Sequence, residues 1–139
     1  MNKILVAFDG SPKAYEAFRY ALKLAALCST NPEIIVLSVA QPPEPIDIVE
    51  VDAVIDAATE HYKQLFEELK KKAEQKNIEI KTEIAIGHPA EQIVRYAKEN
   101  GCDQIIMGQK GKSKMESWLL GSVSKRVATY APCTVTIVK

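Results

Sequence analysis

The chain has 139 residues, enough for one domain that buries about two thirds of the surface its unfolded chain exposes. Lysine plus arginine and aspartate plus glutamate both number 18, so the formal net charge is zero and composition gives no support for nucleic acid or a membrane as a partner. Cys28, Cys102 and Cys133 lie in apolar segments without metal-ligand spacing and cannot all pair. Reduced thiols, the lack of a visible leader and the lack of an apolar run of about 18 residues predict a soluble, cytoplasmic protein.

The first part of the chain predicts a strand, a helix and a second strand. An apolar run at 3–8 ends in Asp-Gly-Ser-Pro, which predicts a strand and then a helix with Ser11 as N-cap and Pro12 at its first position. Apolar residues recur at helical spacing until Asn31-Pro32 stops the pattern. The continuous β-branched run at 33–40 is typical of a strand covered on both faces of a parallel sheet, and a proline-rich loop follows it.

A long amphipathic helix is predicted after this loop. Charged residues separate the members of its apolar stripe, and this charged face is interpreted as solvated. The stripe consists of Val51, Val54, Ile55, Ala58, Tyr62, Leu65, Leu69 and Ala73.

Next, the sequence predicts a strand and a helix of a different character. Residues 78–86 alternate apolar and charged side chains, which suits a strand at a sheet edge. Gly87-His88-Pro89 turns into a third helix, and Asn100-Gly101 closes that helix as a C-terminal cap. Strand four then covers 103–108, and helix four runs from about 122 to 130 before a last strand.

Five strands alternating with four helices predict a single doubly wound α/β domain with a mainly parallel sheet. Ligands of such sheets bind beyond the carboxyl ends of the strands, where the direction of winding reverses. Asp9 ends strand one and Gly108 ends strand four, so the two residues meet at one crevice if those strands are neighbours.

A glycine pattern lies between strand four and helix four. Gly108 and Gly111 are followed, after nine residues, by Gly121-Ser122. Two close glycines after a strand let the backbone approach a ligand, and a Gly-Ser pair that opens a helix presents free N–H groups to an anion. The pattern therefore predicts a phosphate site.

With this pattern in place, the chain resembles the universal stress protein family over nearly its whole length. The glycines and Ser122 match the motif G-x2-G-x9-G-[S/T] of the nucleotide-binding branch of that family. The resemblance is carried by ILVAFDGS at 4–11, the LSV that ends strand two, GHPAEQIVRYA at 87–97, IIMGQKG at 105–111, GSVS at 121–124 and APCTVTIVK at 131–139.

The resemblance implies a strand order of 3-2-1-4-5, a homodimer, and ATP bound between strands one and four, with Mg²⁺ bound through the phosphates. Ala7 and Asp9 would flank the nucleoside, with Asp9 as acceptor for ribose hydroxyls or a metal-bound water. Val39 would lie against adenine, and Met107 and Gly108 would complete the base and ribose pocket. The residues that would donate N–H or hydroxyl hydrogens to the phosphates are Gly111, Gly121, Ser122, Val123 and Ser124.

Several of these residues also have simpler interpretations. Asp9 fits a turn and cap, the glycines fit turns, and serines are favoured near helix starts in any case. His88, in place of an acidic residue frequent in the family, and His61 are interpreted as structural or surface residues. Three loop lysines could reach a triphosphate or be solvated loop charges: Lys110, Lys112 and Lys114.

Other nucleotide motifs fit poorly. A P-loop needs a glycine five residues before its Gly-Lys pair, and position 106 is Ile. A receiver domain would carry a phosphoacceptor aspartate on strand three, and a dinucleotide site would place G-x-G-x-x-G after strand one. Neither feature is present in the sequence.

Three uses of the fold stay open at the level of sequence. The protein is a nucleotide-dependent sensor or switch in stress response, a slow metal-dependent ATPase or phosphotransferase, or a dimeric interaction protein that uses ATP only for stability. The lack of an evident catalytic base favours the switch. The β-branched last segment, CTVTIVK, predicts an edge strand through which two copies of the chain pair.

Overall fold

The computed structural model describes residues 1–42, 48–109 and 120–139. Strands and helices alternate along these residues, which confirms the predicted α/β class. The elements are β1 (Lys3–Ala7), α1 (Pro12–Leu27), β2 (Glu33–Ala40), α2 (Ile48–Glu74), β3 (Ile80–Ile86), α3 (Pro89–Glu99), β4 (Gln104–Gly108), α4 (Ser122–Tyr130) and β5 (Thr134–Val138).

The strands form one sheet in the order β3-β2-β1-β4-β5. Every neighbouring pair is parallel, and Ile4 of β1 lies opposite Ile34 of β2 on one side and Gln104 of β4 on the other. The predicted order is confirmed, and β3 lies at an edge, as its alternating pattern indicated. Because winding reverses between β1 and β4, the carboxyl ends of these two strands lie side by side.

Two apolar clusters cover the opposite faces of the sheet. Ile4 and Val6 of β1 point into a cluster with α1 and α2, whereas Leu5 and Ala7 point into a cluster with α3 and α4. This alternation follows from the two-residue period of a strand and explains the nearly continuous apolar runs of β1, β2 and β4. No helix among the described residues is both long enough and apolar enough to span a membrane.

The start of α1 follows the predicted chemistry. Ser11 caps the helix, because its Oγ accepts a hydrogen bond of 3.2 Å from the N–H of Ala14, and Pro12 occupies the first position. The helix ends at Leu27, before the predicted stop at Asn31-Pro32. Asn31 has a φ of 50°, so the chain reverses there in the left-handed region that asparagine tolerates.

The stripe predicted for α2 is buried only along the second part of the helix. Near its N-terminus Val54 is 44% exposed, and Val51, Ile55 and Ala58 are partly exposed. The helix has 27 residues and so is about 40 Å long, whereas the 8 residues of β2 span roughly 27 Å. The buried members of α2 are Tyr62, Phe66, Leu69 and Ala73. The sheet is therefore too short to cover the whole apolar stripe.

Candidate functional site

A cavity of about 380 Å³ opens beyond the carboxyl ends of β1, β2 and β4. It lies where the winding of the sheet reverses, and its volume is within the range of small-molecule sites. Gly111 lies outside the described residues, as do Lys110, Lys112 and Lys114. The other nine residues of the predicted site all line this cavity: Ala7, Asp9, Val39, Met107, Gly108, Gly121, Ser122, Val123 and Ser124.

The first turn of α4 forms a potential anion site in the cavity wall. Ser122, Val123 and Ser124 are its first three residues, and the first intrahelical bond runs from the N–H of Lys125 to the carbonyl of Gly121, at 2.9 Å. No side chain caps this end of the helix within the described residues. Three backbone N–H groups and the positive end of the helix dipole are therefore directed at one place.

Two other predicted donors at this place are used within the chain. The N–H of Gly121 donates to the carbonyl of Gln109 at 2.8 Å, and the hydroxyl of Ser124 donates to the carbonyl of Gly108 at 2.8 Å. Both bonds tie the start of α4 to the end of β4. The N–H of Gly121 and the hydroxyl of Ser124 were expected to donate to phosphates, but they donate to the chain itself. Among the described residues, the first turn of α4 leaves the amides of residues 122–124 as donors.

Gly108 is required by the packing of α1 against β4. A Cβ at this position would lie 2.7 Å from Cβ of Lys13 and 3.0 Å from the carbonyl carbon of Lys13. The glycine motif predicts that Gly108 lets a ligand approach the backbone. The structure gives a second reason for a glycine at this position, because the missing Cβ leaves room for the first turn of α1.

Asp9 takes part in a tight turn and also faces the cavity. Its Oδ1 accepts a hydrogen bond of 2.9 Å from the N–H of Ser11, and Gly10 between them has a φ of 83°. Within the described residues, Oδ2 accepts no hydrogen bond, and Asp9 is the one carboxylate among the residues that line the cavity. The turn interpretation and the ligand interpretation are therefore compatible, with one oxygen available for each.

The side walls of the cavity were missed by the sequence argument. Ala58 and Tyr62 of α2 line one side, while Pro89 and Ile93 of α3 line the other. Ala58 and Tyr62 are four residues apart on the predicted apolar stripe, which was a usable signal. What the sequence did not show was that this part of α2 lies at the level of the strand ends.

His88 lies close to the site but outside the cavity lining. It precedes α3 as the N-cap residue without a side-chain capping bond, and its Nε2 is 3.3 Å from Nη1 of Arg126. The contact is exposed, in keeping with the surface role expected from the sequence.

The fold, the open end of α4 and the adjoining apolar pocket define a class of protein, an α/β domain with a site suited to an anionic ligand. The universal stress protein family matches residues 1–139, and the chain belongs to this family. It is 31% identical over 150 residues to universal stress protein YxiE of Bacillus subtilis, an alignment that covers 99% of each chain.

Solved structures agree with this assignment. Universal stress protein UspA from Lactobacillus plantarum superposes with a TM-score of 0.91 and 26% identity, covering 99% of this chain and 97% of that one. A universal stress protein in complex with cAMP superposes with a TM-score of 0.75 and 25% identity, covering 99% and 97% of the two chains.

Proposed function

We propose that the cavity binds ATP, with Mg²⁺ held through the phosphates, and that occupancy acts as a nucleotide-dependent switch in stress response. The observation that carries the proposal is the first turn of α4, which no side chain of the described residues caps and which opens into a cavity with an apolar floor at the carboxyl ends of β1 and β4. A related protein of the same fold forms a complex with cAMP, an adenine nucleotide.

Each group has a chemical role in this proposal. The amides of Ser122, Val123 and Ser124 bind phosphate oxygens, since hydrogen bonds to charged groups are the stronger ones. Oδ2 of Asp9 accepts a ribose hydroxyl or a metal-bound water. The apolar floor receives the base and the ribose, and consists of Ala7, Val39, Met107 and Gly108.

The residues around the cavity suit a metal ion that is bound mainly through the phosphates of the nucleotide. The described residues contain no group of three or more His, Cys, Asp and Glu that could hold a cation. Mg²⁺ is commonly bound through one or two carboxylates, waters and the phosphates of a substrate. Asp9 could supply a carboxylate of this kind, either directly or through a water.

Isothermal titration of nucleotide-stripped protein with Mg-ATP and with AMP tests the proposal. We expect micromolar or tighter binding of Mg-ATP and much weaker binding of AMP, because AMP offers fewer phosphate oxygens to the amides. If Mg-ATP gives no heat and does not compete with AMP, nucleotide binding is contradicted. The protein would then be better explained as an interaction module.

A proline at position 122 provides a sharper test of the amides. Proline is well tolerated at the first position of a helix but has no N–H, so Ser122→Pro removes one donor and keeps α4. We expect Mg-ATP affinity to fall roughly 10- to 100-fold. Ser122→Ala, which removes only the hydroxyl, is the matched control; an equal loss in both variants would mean that the hydroxyl is the important group.

Slow ATP hydrolysis is the second candidate. The observation that favours it is Oδ2 of Asp9, which faces the cavity and accepts no hydrogen bond from the part of the chain that the structure describes. Phosphate release, followed with and without Mg²⁺ in the wild type and in Asp9→Asn, separates the two functions. A switch shows no turnover that depends on Asp9. Metal-dependent release that disappears in Asp9→Asn would establish the enzyme instead.

We further propose that residues 1–139 form one domain and that the protein is a homodimer paired through β5. The five strands of the described residues belong to one sheet, and β5 is the edge strand opposite β3, with Val135, Ile137 and Val138 partly exposed. A cytoplasmic location is also proposed, because all three cysteines are free thiols.

A further inference from the structure

We propose that Tyr62 of α2 is a specificity-determining residue of this cavity and stacks on the flat heteroaromatic base of the ligand. The inference depends on the proposed nucleotide function and deepens it, since it assigns a residue that distinguishes a nucleotide from a simple polyphosphate. It places α2 in the site together with the strand ends and α4.

The side walls of the cavity come from opposite faces of the sheet. Ala58 and Tyr62 belong to the helix layer formed by α1 and α2, and Pro89 and Ile93 belong to the layer formed by α3 and α4. The two layers face each other across the cavity, beyond the strand ends. We call the space between these four residues the slot. A flat group that enters the slot therefore lies between an apolar wall from α2 and an apolar wall from α3.

The slot and the anion site lie at different places along the row of strand ends. The amides of α4 adjoin the end of β4, since Ser124 and Gly121 are bonded to Gly108 and Gln109. The slot lies nearer β2, because α2 and α3 both pack on β2, whose Leu37, Val39 and Ala40 also line the cavity. With β1 between them, β2 and β4 are two strand spacings apart, or roughly 10 Å. A matching ligand has an anionic group at one end and a flat, mainly apolar group at the other, which is the chemistry of a nucleotide.

Tyr62 is the aromatic member of the slot and is held in place by its surroundings. The residue is only 5% exposed, and its ring stacks against that of Phe66, with centroids 6.5 Å apart and planes 23° apart. A ring that is already ordered loses little conformational entropy when a ligand binds. Offset stacking of a base on such a ring adds to the affinity without depending on which hydrogen bonds the base makes.

The test compares Tyr62→Leu with Leu69→Ala, using Mg-ATP and magnesium tripolyphosphate as probes in calorimetry. Leucine at position 62 keeps an apolar side chain but removes the ring. Leu69 is the control, since it lies about two turns further along α2, is buried in the same cluster and does not line the cavity. This control leaves Phe66 in place against the Tyr62 ring.

We expect Tyr62→Leu to weaken Mg-ATP binding roughly 5- to 150-fold relative to Leu69→Ala. Tripolyphosphate, which has no base, should bind both variants equally. Tyr62→Phe should recover affinity for Mg-ATP.

The outcomes separate this inference from the proposed function. Failure of the wild type to bind Mg-ATP rejects the nucleotide function itself. Binding by the wild type with equal losses in Tyr62→Leu and Leu69→Ala keeps that function but overturns the role of Tyr62, since the loss then comes from helix packing. A parallel loss of tripolyphosphate and ATP in Tyr62→Leu alone overturns it as well. Urea unfolding of each variant shows that the compared proteins are folded.

Discussion

Gly108 combines a role in packing with a place in the wall of the cavity. It forms part of the cavity wall, yet the closest atoms to an added Cβ belong to Lys13 at the start of α1. A glycine in a binding motif is readily attributed to the ligand alone. Here the same missing side chain also sets the distance between α1 and β4.

The packing role of Gly108 predicts a loss of stability in Gly108→Ala without any ligand. The added methyl group would displace the backbone of Lys13, so we expect a cost of about 1–3 kcal/mol in urea unfolding. Gly101→Ala is the control, because Gly101 has a φ of 61° but no atom within 4 Å of an added Cβ. The expected loss of unfolding free energy in Gly101→Ala is about 1–2 kcal/mol and comes from backbone strain alone. A change in Gly108→Ala near zero would contradict the packing account.

Asp103 predicts a dependence of stability on pH. Hydrogen bonds from the N–H groups of Lys3, at 2.8 Å, and Asn2, at 2.7 Å, hold the pKa of its carboxyl below the ordinary value. A group whose pKa is lower in the folded state stabilises the fold above its unfolded pKa, about 3.9. That contribution is lost as the pH falls through the folded pKa.

The measurement is urea unfolding of the wild type and Asp103→Asn between pH 7 and pH 3. We expect the wild type to be more stable at neutral pH and the difference to shrink below about pH 4. Asparagine keeps a carbonyl oxygen that can accept the same hydrogen bonds. The part of the stability difference that varies with pH is therefore due to the charge of Asp103. A difference that is constant with pH would contradict this assignment.

At the scale of elements, helical and strand periodicity predicted the sequence of elements well and the extent of burial less well. The apolar stripe of α2 indicates which face of the helix is apolar, but not how far the sheet extends beneath it. Burial of the stripe therefore ends near Ala58, at the level of the cavity. The sequence could not reveal this boundary because it depends on the lengths and register of other elements.

The two parts of α2 should differ in hydrogen exchange. Residues 62–73 pack on the sheet, whereas residues 50–57 have few buried contacts, so we expect slower exchange in the first range than in the second. Mass spectrometry of peptides from α2 measures the difference. If Tyr62 and Ala58 contact the ligand, Mg-ATP should slow exchange around these residues. Uniform protection along the free helix would contradict the packing described here.

At the scale of the molecule, features that depend on neighbouring residues were predictable from the sequence, whereas those that depend on distant segments were not. The α/β class followed from the residues, but the strand order came from the resemblance to a family, because pairing of β1 with β4 joins segments about a hundred residues apart. Asp9 and the glycine pattern were found by local chemistry. Tyr62, Pro89 and Ile93 were missed, because their place in the site exists only once the two helix layers meet beyond the sheet.

The proposed homodimer can be tested by blocking the free edge of β5. The carbonyl of Val138 accepts a bond from the N–H of Gln109 and so points toward the β4 side. Residues alternate along a strand, which directs the N–H of Val135 outward. Val135→Pro should leave the sheet intact and prevent pairing with a second copy.

Light scattering at micromolar concentration measures the outcome of this substitution. We expect the mass of a dimer for the wild type and the mass of a monomer for Val135→Pro. Val135→Thr, which keeps β-branching and the N–H, is the control and should stay dimeric. A monomeric wild type would contradict pairing through β5, and a dimeric Val135→Pro would locate the interface elsewhere.

The proposed anion site at α4 consists of main-chain amides, which bears on how the sequence of this turn can change in evolution. Every amino acid except proline has a backbone N–H. Substitutions at residues 122–124 can therefore alter the side chains without removing the donors. The shape of the turn, rather than the identity of its residues, is what selection must preserve. A chain that shares about a quarter of its residues with a relative could therefore retain the same chemistry at this end of the helix.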